Sequence, residues 1–273
     1  MTTLELISNQ QRLNMIRDYT EDNYEEQLEE VLSNILLNGS EPLKLMLNFF
    51  SLIDTPKSEL PQSQPSYSIG DRKISIIKTS KELEGAMKRI NPIPFIGFDS
   101  EQRPTFKKGE RSHGISLIQL ANETDCYLIH TKLIKDIHPL KLLLEDESIV
   151  KIGTGLRGDK QELYNQFNIK LKSTIDLEEM LKKLSSKDGI GAKRAASIFL
   201  NQNLQKSKRI SRSNWETKEL SDSQIKYATE DATIVYDVMN QILREYPFVI
   251  STLPSFFNAK VYKPYLSSLD ILP

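Results

Sequence analysis

"IPFIGFDSEQRPTFKKGERSHGISLIQLANETDCYLIHT" occupies residues 93–131, and its reading decides the fold. Three apolar runs, 93–99, 114–121 and 126–131, are rich in β-branched and aromatic residues and are interrupted by polar turns. Each therefore reads as a strand, the last two joined by the turn-like "NETD". Towards the N-terminus, "KISIIKT" (73–79) adds another strand, followed by a short helix in "SKELEGAMKRI". Towards the C-terminus, "HPLKLLLED" is helical, "SIVKIGTG" (148–155) is a further strand, and the remainder to about 246 reads as mostly helical. Strands first, then helices with one late strand, predict an α/β protein: a mixed sheet covered by helices.

The flanks have a different texture. Residues 1–60 hold eleven acids against four bases, and Leu28, Val31, Leu32, Ile35 and Leu36 recur at helical spacing before a plausible stop at Gly39. A second apolar helix follows in "PLKLMLNFFSLI", with Pro42 in its first turn. The expected organisation is an acidic helical region at 1–56 and a Pro- and Ser-rich linker or surface crossing at 57–71. A main domain over 72–246 and a tail over 247–273 complete it. The N-terminal helices either pack on the main domain or serve a protein partner or self-association.

Composition removes several classes. The 273 residues are 38% hydrophobic, enough for one good-sized core. Cys126 is the single cysteine, which excludes an intrachain disulfide and a thiolate metal cluster. No signal pattern opens the chain and no apolar run nears the ~20 residues of a membrane span, so a soluble intracellular protein is expected. The net charge of −1 hides an asymmetry: residues 187–218 carry eight bases against two acids, where a polyanion would find attraction.

Three motifs carry chemistry. In "FIGFDSE" a strand ends in Asp99-Ser100-Glu101, and alternation puts both carboxylates on one face. Paired carboxylates repel unless a cation joins them, and oxygen ligands suit Mg²⁺ or Mn²⁺. A strand fraying into a polar loop is the plainer alternative. In "IVKIGTGLRGDKQEL", Gly153, Gly155 and Gly158 spell G-x-G-x-x-G, with Asp176 18 residues further on, which is the form of a dinucleotide-binding fingerprint. Asp159, however, follows the third glycine at the helix start, where it would repel a pyrophosphate. No train of strand–helix units follows either. The competing reading makes the glycines a tight strand-to-helix turn and Asp159 a metal-site carboxylate. In "SDSQIKYATEDATIVYDVMNQILREY", Ser221 and Gln224 form a capping box, and Tyr227 and Asp231 share a helix face one turn apart. Ile225, Ala228, Ala232, Val235 and Met239 form the apolar stripe of that helix.

Asp99, Glu101, Asp159, Tyr227 and Asp231, in this order and in these motifs, resemble the DEDD 3′–5′ exonuclease family, in its tyrosine-bearing (DEDDy) subgroup. The likeness runs over roughly 73–246 and includes "SNWETKELSDSQIKYATEDA". The histidine-bearing subgroup places His five residues before the last Asp, where this chain has Lys226. Gln102 departs from the aromatic residue often found after the first motif.

The resemblance implies a ribonuclease H-like 3′–5′ exonuclease fold, here with an N-terminal helical extension. It implies two divalent cations, Mg²⁺ or Mn²⁺, and release of nucleoside 5′-monophosphates from a 3′ end of DNA or RNA. Asp99 would bridge both ions, Glu101 and Asp231 would complete the water-activating site, Asp159 would hold the second ion, and Tyr227 would orient the water. Nucleic-acid contacts would come from Lys107, Lys108 and Arg111 after the first motif, and from Lys193, Arg194, Lys206, Lys208, Arg209 and Arg212 in the basic segment. Trp215 and Cys126 read as packing residues. Two other classes are compatible with parts of the sequence. One is an inactive nuclease fold used as a binding module. The other is an NAD-dependent oxidoreductase, resting on the glycine run alone.

Overall fold

The computed structural model describes residues 41–61, 63–90, 95–105, 107, 109–185, 189–246, 249, 253 and 254. The apolar stripe from Leu28 to Leu36, Gly39, Lys108 and nearly all of 247–273 lie outside the described residues.

Among the described residues six strands form one mixed sheet: β1 (Lys73–Ile77), β2 (Phe95–Gln102), β3 (Ile115–Ala121), β4 (Asp125–His130), β5 (Val150–Gly153) and β6 (Thr174–Asp176). Their order is β1-β4-β3-β2-β5-β6. The hairpin β3–β4 is antiparallel, as is β2–β3, while β1–β4, β2–β5 and β5–β6 are parallel. The late strand expected over 148–155 is present and shorter. A second one, β6, goes beyond the expected set: three residues are too few to show a period in sequence.

Helices cover both faces. On one lie α1 (Glu41–Asp54), α5 (Leu177–Leu184), α6 (Ala192–Phe199) and α8 (Asp222–Glu245). On the other lie α2 (Ser80–Ile90), α3 (His138–Glu145) and α4 (Arg157–Phe167). The short α7 (Lys208–Ser211) leads into α8. Helix α1 is a full member of the core: Met46, Phe49, Phe50 and Ile53 are fully buried, and the Phe49 ring lies 5.0 Å from Tyr246 and 5.7 Å from Phe199. Apolar burial on this scale, about 1.5–3 kcal/mol per large side chain, fixes α1 against α6 and α8. Residues 65–72 run along the same body. The Tyr67 hydroxyl donates to Asp237 at 2.6 Å and Arg72 pairs with the same carboxylate.

The central strand explains how the site is positioned. Phe95 joins the core on the α8 side, while Ile96 and Phe98 join the α2–α4 side, so Gly97, Asp99 and Glu101 face α8. Gly97 has a steric reason to be glycine: a Cβ there would stand 2.0 Å from the Ala232 carbonyl oxygen. Helix α8 is thus seated directly on β2. It starts at the expected capping box, with Ser221 accepting from the Gln224 amide and Gln224 Oε1 accepting from the Ser221 amide at 3.0 Å. Its buried surface is wider than the expected stripe, taking in Thr229, Thr233, Ile234 and Val238 as well; Ile225 is only half-buried. No helix among the described residues is long and apolar enough to cross a membrane.

Candidate active site

Strand β2 and helix α8 bring three of the five expected residues together. Carboxylate oxygens of Asp99, Glu101 and Asp231 all lie within 4.8 Å of one another. Asp99 and Glu101 are two apart on β2, so they share its α8 face. Asp231 directly precedes Ala232, whose carbonyl touches Gly97, so the glycine sets the height of Asp231 over the strand.

Burial raises the proton affinity of all three acids. Asp99 is held well above the usual carboxylate range by desolvation, then by the charges of Asp231 and Asp159. Glu101 is pushed up to about 9 by desolvation and by Asp99 and Asp231. Asp231 also rises through desolvation, against the opposing pull of Lys206, whose ammonium lies 3.0 Å from its Oδ1. Such crowding of carboxylates is unfavourable without a cation. The donors are all carboxylate oxygens, the ligand set that hard divalent ions prefer.

Asp159 arrives differently. It sits in the first turn of α4 and accepts a hydrogen bond from the Ser100 hydroxyl. Ser100 points to the opposite face of β2 from its neighbours, so Asp159 stands at the edge of the cluster, beyond the spacing that unites the other three. Its own carboxyl is raised by burial, with the Ser100 hydrogen bond pulling back, and its charge is felt at Asp99. The glycine turn that delivers it is tight. Gly155 has φ +67°, and a Cβ on Gly153 would lie 2.4 Å from Leu156 and 2.8 Å from the Phe98 oxygen. Asp176 is engaged structurally: one oxygen accepts from the Leu156 amide at 3.0 Å, and the other caps α5 through Glu178 and Glu179. Both oxygens that a ribose would need are taken, which weighs against the dinucleotide reading of this turn.

Tyr227 lies one turn before Asp231 and packs its ring on Trp215, 6.1 Å between centroids. Desolvation, then the charge of Asp231, holds its phenol above the ordinary value, while Ser211 pulls it partly back. The hydroxyl therefore remains a donor at neutral pH. Trp215 is fully buried and donates to the Ser211 carbonyl at 3.2 Å, the expected packing role. Cys126 is buried, and burial pushes its thiol up to about 12. Glu230, although adjacent to Asp231, faces Lys226 at 3.8 Å and stays out of the cluster.

Residues 74–247 match the family model of the 3'-5' exonuclease domain, DNA_pol_A_exo1. The chain belongs to the 3'-5' exonuclease family. Among its relatives, the mouse bifunctional 3'-5' exonuclease/ATP-dependent helicase WRN is 34% identical over 161 residues, which cover 56% of this chain and 11% of that protein. An Arabidopsis thaliana 3'-5' exonuclease is 27% identical over 180 residues, covering 65% of this chain and 60% of that one. The fold is that of Escherichia coli RNase D, described as an exoribonuclease involved in structured RNA processing. The TM-score is 0.58 at 23% identity, over 73% of this chain and 50% of that chain. The chain thus spans between about a tenth and three fifths of the curated relatives just named. The six-stranded mixed sheet is the ribonuclease H-like sheet expected of an exonuclease.

Within this exonuclease domain the basic candidates divide. Lys107 and Arg111 are exposed in the loop after β2, where the β2–β3 register shifts at Glu101/Gln102 and Gln102 is exposed. Lys193 is exposed on α6; Lys208, Arg209 and Arg212 are exposed on and after α7, whose Ser211 reaches Tyr227. Arg194 is a correction. It is 8% exposed and donates to the carbonyls of Ile53 and Thr55, tying α1 to α6 rather than facing a ligand. Lys206 is exposed and pairs with the acid cluster, its Nζ 3.0 Å from Asp231 Oδ1. Gln119 was not singled out by sequence. It lies opposite Asp99 in the β2–β3 register, fully buried, with neither amide atom hydrogen-bonded among the described residues. Only the register places it beside an acid, and the register is a long-range fact.

Proposed function

We propose that this protein hydrolyses phosphodiester bonds from the 3′ end of DNA or RNA and releases nucleoside 5′-monophosphates. Two divalent cations, Mg²⁺ or Mn²⁺, would be held by Asp99, Glu101, Asp159 and Asp231. The observation that carries the reading is the convergence of Asp99, Glu101 and Asp231 within 4.8 Å in a chain of the exonuclease family. When bound, such an ion pair supplies Lewis acidity and an activated water. The chain's own residues do the rest. Asp99 is the acid that feels both neighbours, with the charges of Asp231 and Asp159 acting on it. Tyr227 would donate its hydroxyl in a hydrogen bond that orients the attacking water, since a phenol held above its usual pKa stays protonated at neutral pH. Ser100 fixes the Asp159 carboxylate, and Gly97 fixes the distance between β2 and α8.

Nucleic-acid contacts would fall to Lys107, Lys108 and Arg111, which follow the first motif in sequence, and to Lys193, Lys208, Arg209 and Arg212 in the basic segment. Phosphate contacts of this kind hold a strand without reading its sequence. The RNA substrate of the Escherichia coli relative makes RNA one arm of the test. We also read α1 as part of the working nuclease unit, since its phenylalanines complete the core under α6 and α8.

The test is product analysis by chromatography after incubation with single-stranded RNA or DNA in Mg²⁺, in Mn²⁺ and in a chelator. Metal-dependent nucleoside 5′-monophosphates support the reading. Oligonucleotide products, or products undiminished by the chelator, would replace it with a different nuclease chemistry.

A further inference from the structure

Three carboxylates this close, Asp231 buried and Asp99 and Glu101 half-buried, favour a positive charge beside them, and the chain supplies one. Lys206 Nζ lies 3.0 Å from Asp231 Oδ1, and its charge is felt at Asp99 and Glu101 as well. The lysine is delivered by a braced segment. The Asn203 amide donates to the Pro65 carbonyl at 2.8 Å and the Tyr67 amide donates to the Asn203 carbonyl at 3.0 Å. Leu204 is buried, and Ser207 caps α7. The anchor residues 65–67 lie outside the region matched by the family model, 74–247. Lys206 also lines an open cavity of about 700 Å³ together with Thr154, Lys193, Asn203 and Lys57. Its side chain is 37% exposed, so the ammonium has both a partner and somewhere to go.

We propose that Lys206 is the resident counter-cation of the acid cluster, and that a divalent ion must displace its ammonium into the adjoining cavity to bind. The proposal rests on the metal-site reading of Asp99, Glu101 and Asp231. An ammonium and a divalent ion in the same carboxylate cluster repel strongly, because Coulomb energies between charges a few ångströms apart are large at protein-like dielectric. Lys206 therefore serves as a positioning residue with two opposite effects. It relieves carboxylate repulsion before the metal arrives, and it weakens the metal's hold by exchange.

The test is calorimetric titration of the full chain with Mn²⁺, without nucleic acid, together with thermal melting in a chelator. Lys206→Met is expected to bind Mn²⁺ about tenfold more tightly than the wild type (~1.4 kcal/mol). Its metal-free form is expected to melt about 2–4 °C lower. Lys206→Arg keeps the cation and stays near the wild type in both measurements. Lys226→Met removes an exposed lysine five residues from Asp231 and changes Mn²⁺ affinity less than twofold. Wild-type Mn²⁺ binding that is unchanged or weakened in Lys206→Met would overturn the exchange while leaving the metal site standing. Absence of Mn²⁺ binding in every variant would overturn the metal-site reading, and the exchange with it.

Discussion

Gly97→Ala tests the link between the fold and the chemistry. The added methyl would lie 2.0 Å from the Ala232 carbonyl oxygen, 3.1 Å from its carbon and 3.2 Å from the Tyr236 Cβ. A non-bonded carbon needs about 3.2–3.5 Å, so α8 must lift from β2 by roughly 1.2 Å at this point. All of the obstructing atoms belong to the helix backbone or to a Cβ, so no side-chain rotation relieves the contact. Overpacking of this kind costs about 1–3 kcal/mol, which leaves the protein folded. The catalytic cost is larger, because Asp231 neighbours Ala232 and rises with it, away from Asp99 and Glu101. A displacement near 1 Å in a catalytic constellation costs about 10²-fold in rate. The assay pairs urea denaturation with single-turnover degradation of a 5′-labelled strand. A folded Gly97→Ala protein within threefold of the wild-type rate would refute the claim that the β2–α8 contact sets the site.

Other expectations concern the acids, the tyrosine and a buried lysine. Tyr227→Phe retains Mn²⁺ affinity by calorimetry and slows turnover about 10–100-fold, as expected for loss of one positioning hydrogen bond; unchanged turnover would remove Tyr227 from the mechanism. Asp99→Asn abolishes turnover yet raises the stability of the metal-free protein to urea at pH 8. The native pKa of Asp99 is raised, so its ionised form costs the folded state stability once the pH passes the unfolded value. Lys151 is fully buried, donates to the carbonyls of Asp146 and Ile149 at 2.7 Å, and is pushed down to about 7 by desolvation. Between pH 7 and 10.5 the unfolded chain binds more protons at this lysine than the folded one, so stability rises with pH through that window. Unfolding free energies from urea titrations should therefore rise from pH 7 to 9 in the wild type relative to Lys151→Met, by up to about 1.4 kcal/mol per pH unit, and parallel curves would contradict the depressed pKa.

Local physics made much of this molecule legible. The alternation in "FIGFDSE" put Asp99 and Glu101 on one face, and the Ser221–Gln224 capping box located the start of α8 together with the Tyr227–Asp231 spacing. The glycine turn before Asp159 was open to two readings until Asp176 proved to be bonded at both oxygens. What stayed hidden depends on contacts between residues far apart in sequence. Nothing near Gly97 announces Ala232, 135 positions away in the chain. Lys206 looked like one base among eight because only the folded chain brings it to Asp231. Ser100, which holds Asp159, sits between two acids that face the other way. Arg194 carried a charge that sequence assigned to a polyanion, and burial under α1 gave it to two carbonyls instead.

The central claim is that Asp99, Glu101, Asp159 and Asp231 form a metal-dependent 3′–5′ exonuclease site. Its most direct measurement follows 5′-labelled single-stranded RNA and DNA in Mg²⁺ and Mn²⁺, with the Asp99→Ala, Glu101→Ala protein as the control. The expected result is a metal-dependent ladder that shortens from the 3′ end and vanishes in the control. Strand binding without shortening in either metal, or an undiminished ladder in the control, would contradict it.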